Sequence, residues 1–525
     1  MKNVTGVFVP PVLALPILAF ALATGSPQHQ ILRDHSPETT TTSDSLSVDS
    51  ALVHIDMDKA VLLKIPESRD MKPALFRTSD GRDGWAVQIP GWRPIATPAY
   101  ADGMIFVGGG YGSYEFYAFD AATGKLAWQI KTADDGPTAA VVEDGYVAFN
   151  TESCTVIVVE AKTGKLVWQE WLGDPLMSQP AIANGRLFIA HPGNGRNQIQ
   201  GHQHTGITPA TLPPGSPGSD PIENEGSGTH HMLCADLRTG RHIWRTPIAS
   251  DVISAPIVDS DKVYFTCFDG TSYALNAATG KVLWTRTNGG TSAPLIANGH
   301  VVMTTKEDRN GKTFEGMRRV DSREGRDHDS TMLAGGEARY LNDGGNGGVA
   351  LQPQQLSSLD MAVGFSTTPE SAQLDKAKKH IGVATVAGGW AYQGSRATYK
   401  GGQLMNAQGR YLNNVNAADG KMSWRAEARG TGIGDGTQLF SPPAVGGGNL
   451  YLCTALGHLA AVRQKDGAPQ FLYRTEHPAA FQPALANGNM YVGTTDGWLI
   501  CLRTGSSDAD GWYAWGGNAQ HNKKN

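Results

Sequence analysis

One nine-residue segment recurs along this chain, and its spacing constrains the fold more than any other feature. Asp120-Ala-Ala-Thr-Gly-Lys-Leu-Ala-Trp128 returns as Glu160–Trp168, Asp236–Trp244, Asn276–Trp284 and Asn416–Trp424, always with Gly fifth and Trp ninth. Trp128 to Trp168 is 40 residues, and Trp244 to Trp284 is 40 again. A fixed period of that size marks a repeat architecture, in which one unit cannot bury a core without its neighbours.

Two independent features count the units. The first is the turn itself: Asp or Asn opens it, Gly supplies the positive φ, and alternating flanks read as strands. Besides the five copies above, Asp321–Arg326 keeps the turn without the Trp, Gln464–Gly467 leads to Phe471 in its place, and Leu502–Gly505 repeats Leu237–Gly240. The second is an Asn-Gly or Asp-Gly type turn followed by a short apolar strand, a hairpin signature. It occurs at Gly103–Gly108, Gly145–Phe149, Gly185–Ile189, Asp261–Phe265, Gly299–Met303, Gly389–Tyr392, Gly448–Leu452 and Gly488–Val492. Both counts give eight, and they interleave one for one.

Short antiparallel strands in eight units stack radially, each covering its neighbour's face. The expected fold is therefore all-β, an eight-bladed β-propeller over residues 76–525. Its composition agrees: 18% charged and 40% apolar residues with 64 Gly and 29 Pro suit a turn-rich β protein. The recurring Trp reads as a wedge between blades, because a copy in most units is a packing element and not one cofactor platform. Gly84–Ile89 and Gly511–Trp515 compete for the strand that closes the ring, and the sequence leaves that choice open.

These units resemble the pyrroloquinoline-quinone-like (PQQ-like) propeller repeat, A-x-D-A-x-T-G-K-x-x-W, over about residues 84–515, most specifically at the five Trp-bearing turns. That family holds quinone-dependent alcohol and sugar dehydrogenases. It also holds non-catalytic envelope propellers, such as the lipoprotein of the outer-membrane β-barrel assembly machine. For the dehydrogenases the resemblance implies PQQ with calcium, a carboxylate base and, in the alcohol branch, an adjacent Cys-Cys pair. The five Cys (154, 234, 267, 453, 501) include no adjacent pair, no CxxC and no metal-ligand spacing, and read as small buried side chains. No carboxylate cluster stands out from the turn residues. The chain is thus expected nearer the non-catalytic members, a protein- or ligand-binding scaffold with no catalytic residue and no cofactor. The alternative is a PQQ-dependent dehydrogenase with a diverged site, using PQQ and calcium.

Two insertions break the period. Trp168 to Trp244 spans 76 residues, and the excess, about 190–231, holds His202, His204, His230 and His231 among turn formers. Imidazoles gathered on one loop are candidate metal ligands, set against a polar loop that merely contains His. The second insertion, about 327–383, is Gly-rich and ends in a short helix from Thr368, with Pro369 at its first position and lysines in its last turn. Leu374, Ala377 and Ile381 share one face of it.

At the N-terminus, Lys2 and the apolar stretch Val7–Ala23, with Ala21-Leu22-Ala23 as cleavage site, read as a signal peptide over 1–23. Pro10, Pro11 and Pro16 argue against a spanning helix. Residues 24–75 read as a flexible leader. Export to the periplasm or exterior follows, with envelope proteins as partners and no integral membrane span. A net charge of -5 gives no electrostatic case for nucleic acid.

Overall fold

The Asx-x-x-Thr-Gly turn closes as its residue types require. The Asp120 carboxylate accepts from Thr123 N at 2.8 Å and Thr123 Oγ1 at 2.6 Å, while Gly124 N donates to Asp120 O at 2.8 Å. Asp236 with Thr239 and Asn276 with Thr279 repeat the arrangement. Each such turn joins the third and fourth strands of an antiparallel sheet. The computed structural model describes residues 51–515, apart from 153–154, 173–177, 193–229, 288, 342–368, 384–385 and 393–395.

Eight sheets of four or five strands form the eight blades, with their first strands meeting around the axis. Blades 1 to 7 cover 99–131, 141–171, 181–248, 257–286, 295–337, 397–429 and 444–474. Blade 8 takes three strands from the C-terminal end, Ala484–Ala486, Asn489–Gly493 and Trp498–Arg503. Its fourth comes from the N-terminal side: Asp83–Gln88 pairs antiparallel with the last strand, from Gly84↔Leu502 to Gln88↔Trp498. The Gly84–Ile89 candidate therefore closes the ring. The other candidate, Gly511–Trp515, runs along the inner strands instead. Apolar clusters lie between adjacent blades, for example Phe116, Phe149, Ile157 and Val159 between blades 1 and 2, and Val158, Trp168, Ile189 and Leu233 between blades 2 and 3, and one continuous cluster spans blades 6 to 8.

The repeated Trp does more than fill these wedges. Each indole N–H donates to the backbone carbonyl just after the opening residue of the next blade's turn: Trp128 to Ala161 (2.9 Å), Trp168 to Leu237 (2.7 Å), Trp244 to Ala277 (3.0 Å) and Trp284 to Ser322 (3.2 Å). Trp424 does the same to Gln464 at 2.9 Å, and Trp85 of the closing strand to Ala121 at 3.2 Å. The turn Gly of the receiving blade lies flat on the same ring. A Cβ at Gly164 would stand 2.7 Å from Trp128, and φ there is +69°. Where blade 5 lacks its Trp, Arg319 reaches Ala417 O, held by the buried carboxylate of Asp329. Where blade 7 has Phe471, the Arg82 guanidinium sits 5.1 Å above that ring.

Two expectations are corrected. Residues 51–75, read as the end of a flexible leader, carry strands: Ala51–Asp56 and Val61–Leu62 pair in parallel with the outer strands of blades 6 and 7, and Ala74–Arg77 adds to blade 8. Their polar composition reflects edge positions with one solvated face, which composition alone cannot tell from a leader. The second correction concerns Gly389–Tyr392, which is not the sixth hairpin. Val386–Ala391 is a helix, and the sixth hairpin turns at Gly401-Gly402, between Ala397–Lys400 and Gln403–Gln408. Among the described residues two α-helices therefore stand where one was expected: α1 (Pro369–Ile381), where the capping pattern placed it, and α2 (Val386–Ala391). The segment 1–23 lies outside the described residues.

The latch predicts a graded series. Trp168→Phe leaves the Leu237 carbonyl without its donor in a buried wedge and should cost about 1–3 kcal/mol. Trp168→Ala adds a cavity and should cost roughly 3–5 kcal/mol. Urea unfolding of the two variants checks the order.

Candidate functional site

Antiparallel strands sort the loops onto two faces. The first-to-second and third-to-fourth links carry the Asn-Gly and Thr-Gly turns on one face. The second-to-third and blade-to-blade links emerge on the other. Both insertions fall on this second face: one joins the second and third strands of blade 3, the other joins blade 5 to blade 6.

At its centre the second insertion plugs the axis. Ala377 and Ile381 of α1 pack on Ile253 and Phe268 of blade 4's loops, beside Tyr392. Trp390 of α2 fits among Ala96, Ala139, Ala480 and Phe481, which precede the first strands of blades 1, 2 and 8. Its indole N–H donates to Gly136 O at 3.0 Å. The Tyr392 hydroxyl donates to Thr291 O at 2.7 Å, and its carbonyl accepts from Ser254 Oγ at 2.7 Å. Burial raises this phenol's pKa far above the ordinary range, so it stays neutral. Beneath it, Arg396 holds both oxygens of Glu315 at 2.8 Å, the two side chains 7% and 0% exposed. Such a pair costs much if either partner is removed, which fixes the anchor's geometry. From the turn face, the C-terminal segment fills the rest. Gly488 N donates to Ala509 O, Leu485 N to Trp512 O and Tyr100 N to Tyr513 O, and Trp515 ends buried on Ala255 and Ala293 of blades 4 and 5.

Beside the plug, Asp134, Asp135 and Glu152 bring their carboxylate oxygens within 4.8 Å of one another. Thr151 donates to Asp134, and Tyr111, edge-on to Trp390 with centroids 5.9 Å apart, donates to Glu152 at 3.5 Å. Asp135 and burial together push up the Tyr114 phenol. Oxygen donors so grouped suit a hard cation such as calcium. Sequence reading passed over them because Asp134-Asp135 and Glu152 sit in separate loops and look like any turn carboxylates.

Two of the four candidate histidines can be placed. His202 and His204 lie outside the described residues. His230 and His231 are adjacent on the strand His230–Asp236, so their rings leave opposite faces of the sheet. His231 shares its side with Leu233, which faces blade 2, whereas Met232 and Cys234, on the side of His230, face blade 4. Burial, with Lys376 of α1 near, holds His230 down to about 4. One ion cannot take both rings. The four described cysteines are buried, as expected, and free; burial raises Cys234 and Cys453 to about 12 and the other two further.

The described residues on the axis do not fit PQQ. A flat tricarboxylate needs an open slot lined by cations, and Trp390, Phe481, Tyr392 and Trp515 occupy the axial space, with Arg396 already committed to Glu315.

The repeat family described as outer membrane protein assembly factor BamB matches residues 72–139, 115–208, 225–339 and 371–518. The chain belongs to this BamB-type family of PQQ-like propellers. It is 26% identical over 249 residues to the outer membrane protein assembly factor BamB of Moranella endobia, covering 40% of this chain and 62% of that one. It is 24% identical over 417 residues to the tetrathionate hydrolase of Acidithiobacillus ferrooxidans, covering 70% of this chain and 72% of that one. The chain spans less than two thirds of the length of the first BamB relatives it matches. In structure it is similar to BamB from Moraxella catarrhalis, with a TM-score of 0.50 at 14% identity, over 82% of this chain and 98% of that one. This BamB-type chain carries two insertions on one face, and no described helix is long and apolar enough to cross a membrane.

The plug gives a pH prediction. His380 of α1 sets Nε2 2.7 Å from Gly290 O, and burial holds its pKa below the ordinary imidazole value, with the Gly290 bond as a smaller, opposing influence and the Lys306 charge adding to the lowering. The unfolded imidazole takes up its proton near pH 6.5, before the folded one does. His380 should therefore contribute stability fully above that pH and lose it as pH falls through and below it. Thermal unfolding at pH 7.5 and 5 should show a smaller acid loss in His380→Gln than in the parent.

Proposed function

We propose that this protein is an exported, non-catalytic scaffold of the cell envelope that binds protein partners through its insertion-bearing face. Its role would be of the kind its relatives' name states, the assembly of outer membrane proteins. The observation that carries this reading is the axis. The chain's own α2 and C-terminal segment fill the place where a propeller enzyme of this family would need a cofactor slot, which leaves recognition to the loops. Three large side chains on those loops support it: Trp92 is 66% exposed, Tyr114 45% and Leu456 37%, all on the insertion-bearing side. Aromatic residues of this type commonly anchor protein interfaces. The signal-like Val7–Ala23 stretch supports export.

Photo-crosslinkers at Trp92 and Tyr114 should give adducts with defined envelope proteins, and a crosslinker at Lys165 on the turn face should not. Adducts from Lys165 alone would reverse the assignment of faces. Adding pyrroloquinoline quinone and calcium should give no saturable absorbance change and no dye reduction with alcohols or sugars; turnover would sink the scaffold reading.

A further inference from the structure

On the insertion-bearing face, the loops of blades 7, 8, 1 and 2 join into one continuous arc. At one end Leu456 stands exposed beside Gly457, where a Cβ would lie 3.0 Å from His477 N. His477 Nδ1 meets Asp496 Oδ2 at 2.7 Å. Beside Asp496, Gly497 makes room for the next loop: a Cβ there would stand 2.7 Å from Trp92 Cα. Arg93 Nη1 then donates to Tyr111 O at 3.0 Å, and Gly136 sits against both the Tyr111 ring and the Glu152 stem.

Trp92 is held for presentation within this arc. Its φ is +55°, a conformation that costs a bulky residue energy, and Gly91 before it is at +88°. The segment is gripped from two sides, by Gly497 of blade 8 and by Gly110 of blade 1, where a Cβ would stand 2.7 Å from Arg93 Cβ. The grip on the backbone leaves the indole 66% exposed. A large ring on a fixed backbone has little freedom left to lose on contact with a partner.

Charge selects what the arc can meet. Its loops carry Glu476, Asp496, Asp134, Asp135 and Glu152, against Arg93 as their one arginine or lysine. The flanking strand ends add Lys131, Arg474 and Glu115, so the arc stays net negative. The insertions do not reverse that sign: 193–229 carries Arg196 against Asp220, Glu223 and Glu225, and 342–368 carries Asp343 and Asp360 with no Lys or Arg. Asp135, with burial and then Asp134, pushes the exposed Tyr114 phenol up, so the negative field reaches the aromatic rings. An indole face attracts a cation, and neighbouring carboxylates bond the same group. An acidic segment would meet like charge along the arc, which costs affinity. Resting on the scaffold role, we propose that this arc docks a Lys- or Arg-bearing segment of a partner protein, with Trp92 as its anchor.

Fluorescein-labelled synthetic peptides of one length, bearing Lys, Gln or Glu at alternate positions, are titrated against the full chain by anisotropy. The Lys peptide alone should bind, and more weakly as salt rises. Trp92→Ala should weaken it about fivefold, and Asp496→Asn and Glu152→Gln about two- to fivefold each. Asp144→Asn on the turn face should leave it unchanged. No binding of the Lys peptide, equal binding of the Gln or Glu peptide, or an affinity unmoved in all three variants would overturn the assignment. If a variant fails to fold, Glu476→Gln at an exposed side chain takes its place. Crosslinking from Trp92 keeps this docking apart from the scaffold role itself. Adducts with envelope proteins but no preference for the Lys peptide remove the basic segment and leave the scaffold; no adducts remove both.

Discussion

The ring depends on one hydrogen bond made again and again, from a tryptophan indole to a carbonyl in the next blade. Apolar burial alone would hold the wedges together without fixing their register, since it is non-directional. The indole bond adds direction. It locks the Trp168 ring to Leu237 O and so sets how far blade 2 can slide past blade 3. A turn glycine sets the depth of approach at such joints: between blades 1 and 2, a side chain at Gly164 would strike the Trp128 ring and prise the blades apart. The Thr-Gly turn and the Trp belong to one device. The turn offers the carbonyl and the flat glycine, and the preceding blade supplies the ring that meets both.

That unity explains what could be read from the residues alone. Turn and Trp recur in sequence because each blade needs both halves of the joint, so fold class and blade number were legible, and so was α1 from its Pro369 and terminal lysines. Closure was not, because Gly84–Ile89 and Gly511–Trp515 carry similar local patterns and differ only in what lies beside them after folding. Gly389–Tyr392 misled for a related reason. A glycine followed by large apolar residues suits a strand, yet those residues contact blades 1, 2, 4, 5 and 8 at once, which only a plug on the axis can do. At blade 5, Arg319 serves in place of Trp by bonding the same carbonyl, a substitution of function with no resemblance of residue type.

The candidate site was less legible still. Its parts come from two separate links, one joining blades 1 and 2 and one within blade 2, and neither Asp134-Asp135 nor Glu152 has a spacing that marks it. The histidines make the same point from the other side: His230 and His231 are neighbours in sequence and strand alternation separates them, while His191, far off in sequence, stands opposite His231. Proximity along a β-chain and proximity across a sheet are different quantities, and only register converts one into the other.

The closing strand has a consequence for how the chain reaches its folded form. Gly84 pairs with Leu502, so the closing strand, made before blade 1, waits until blade 8 is made before its sheet exists. Loop closure over such a separation is slow relative to local hairpins. Blades 1 to 7 can gather early, but the circle stays open until the far end arrives. A chain threaded through a membrane from its N-terminus would thus remain without a completed ring throughout transit. It would become a closed, edge-protected body only on the side where synthesis and passage have both ended.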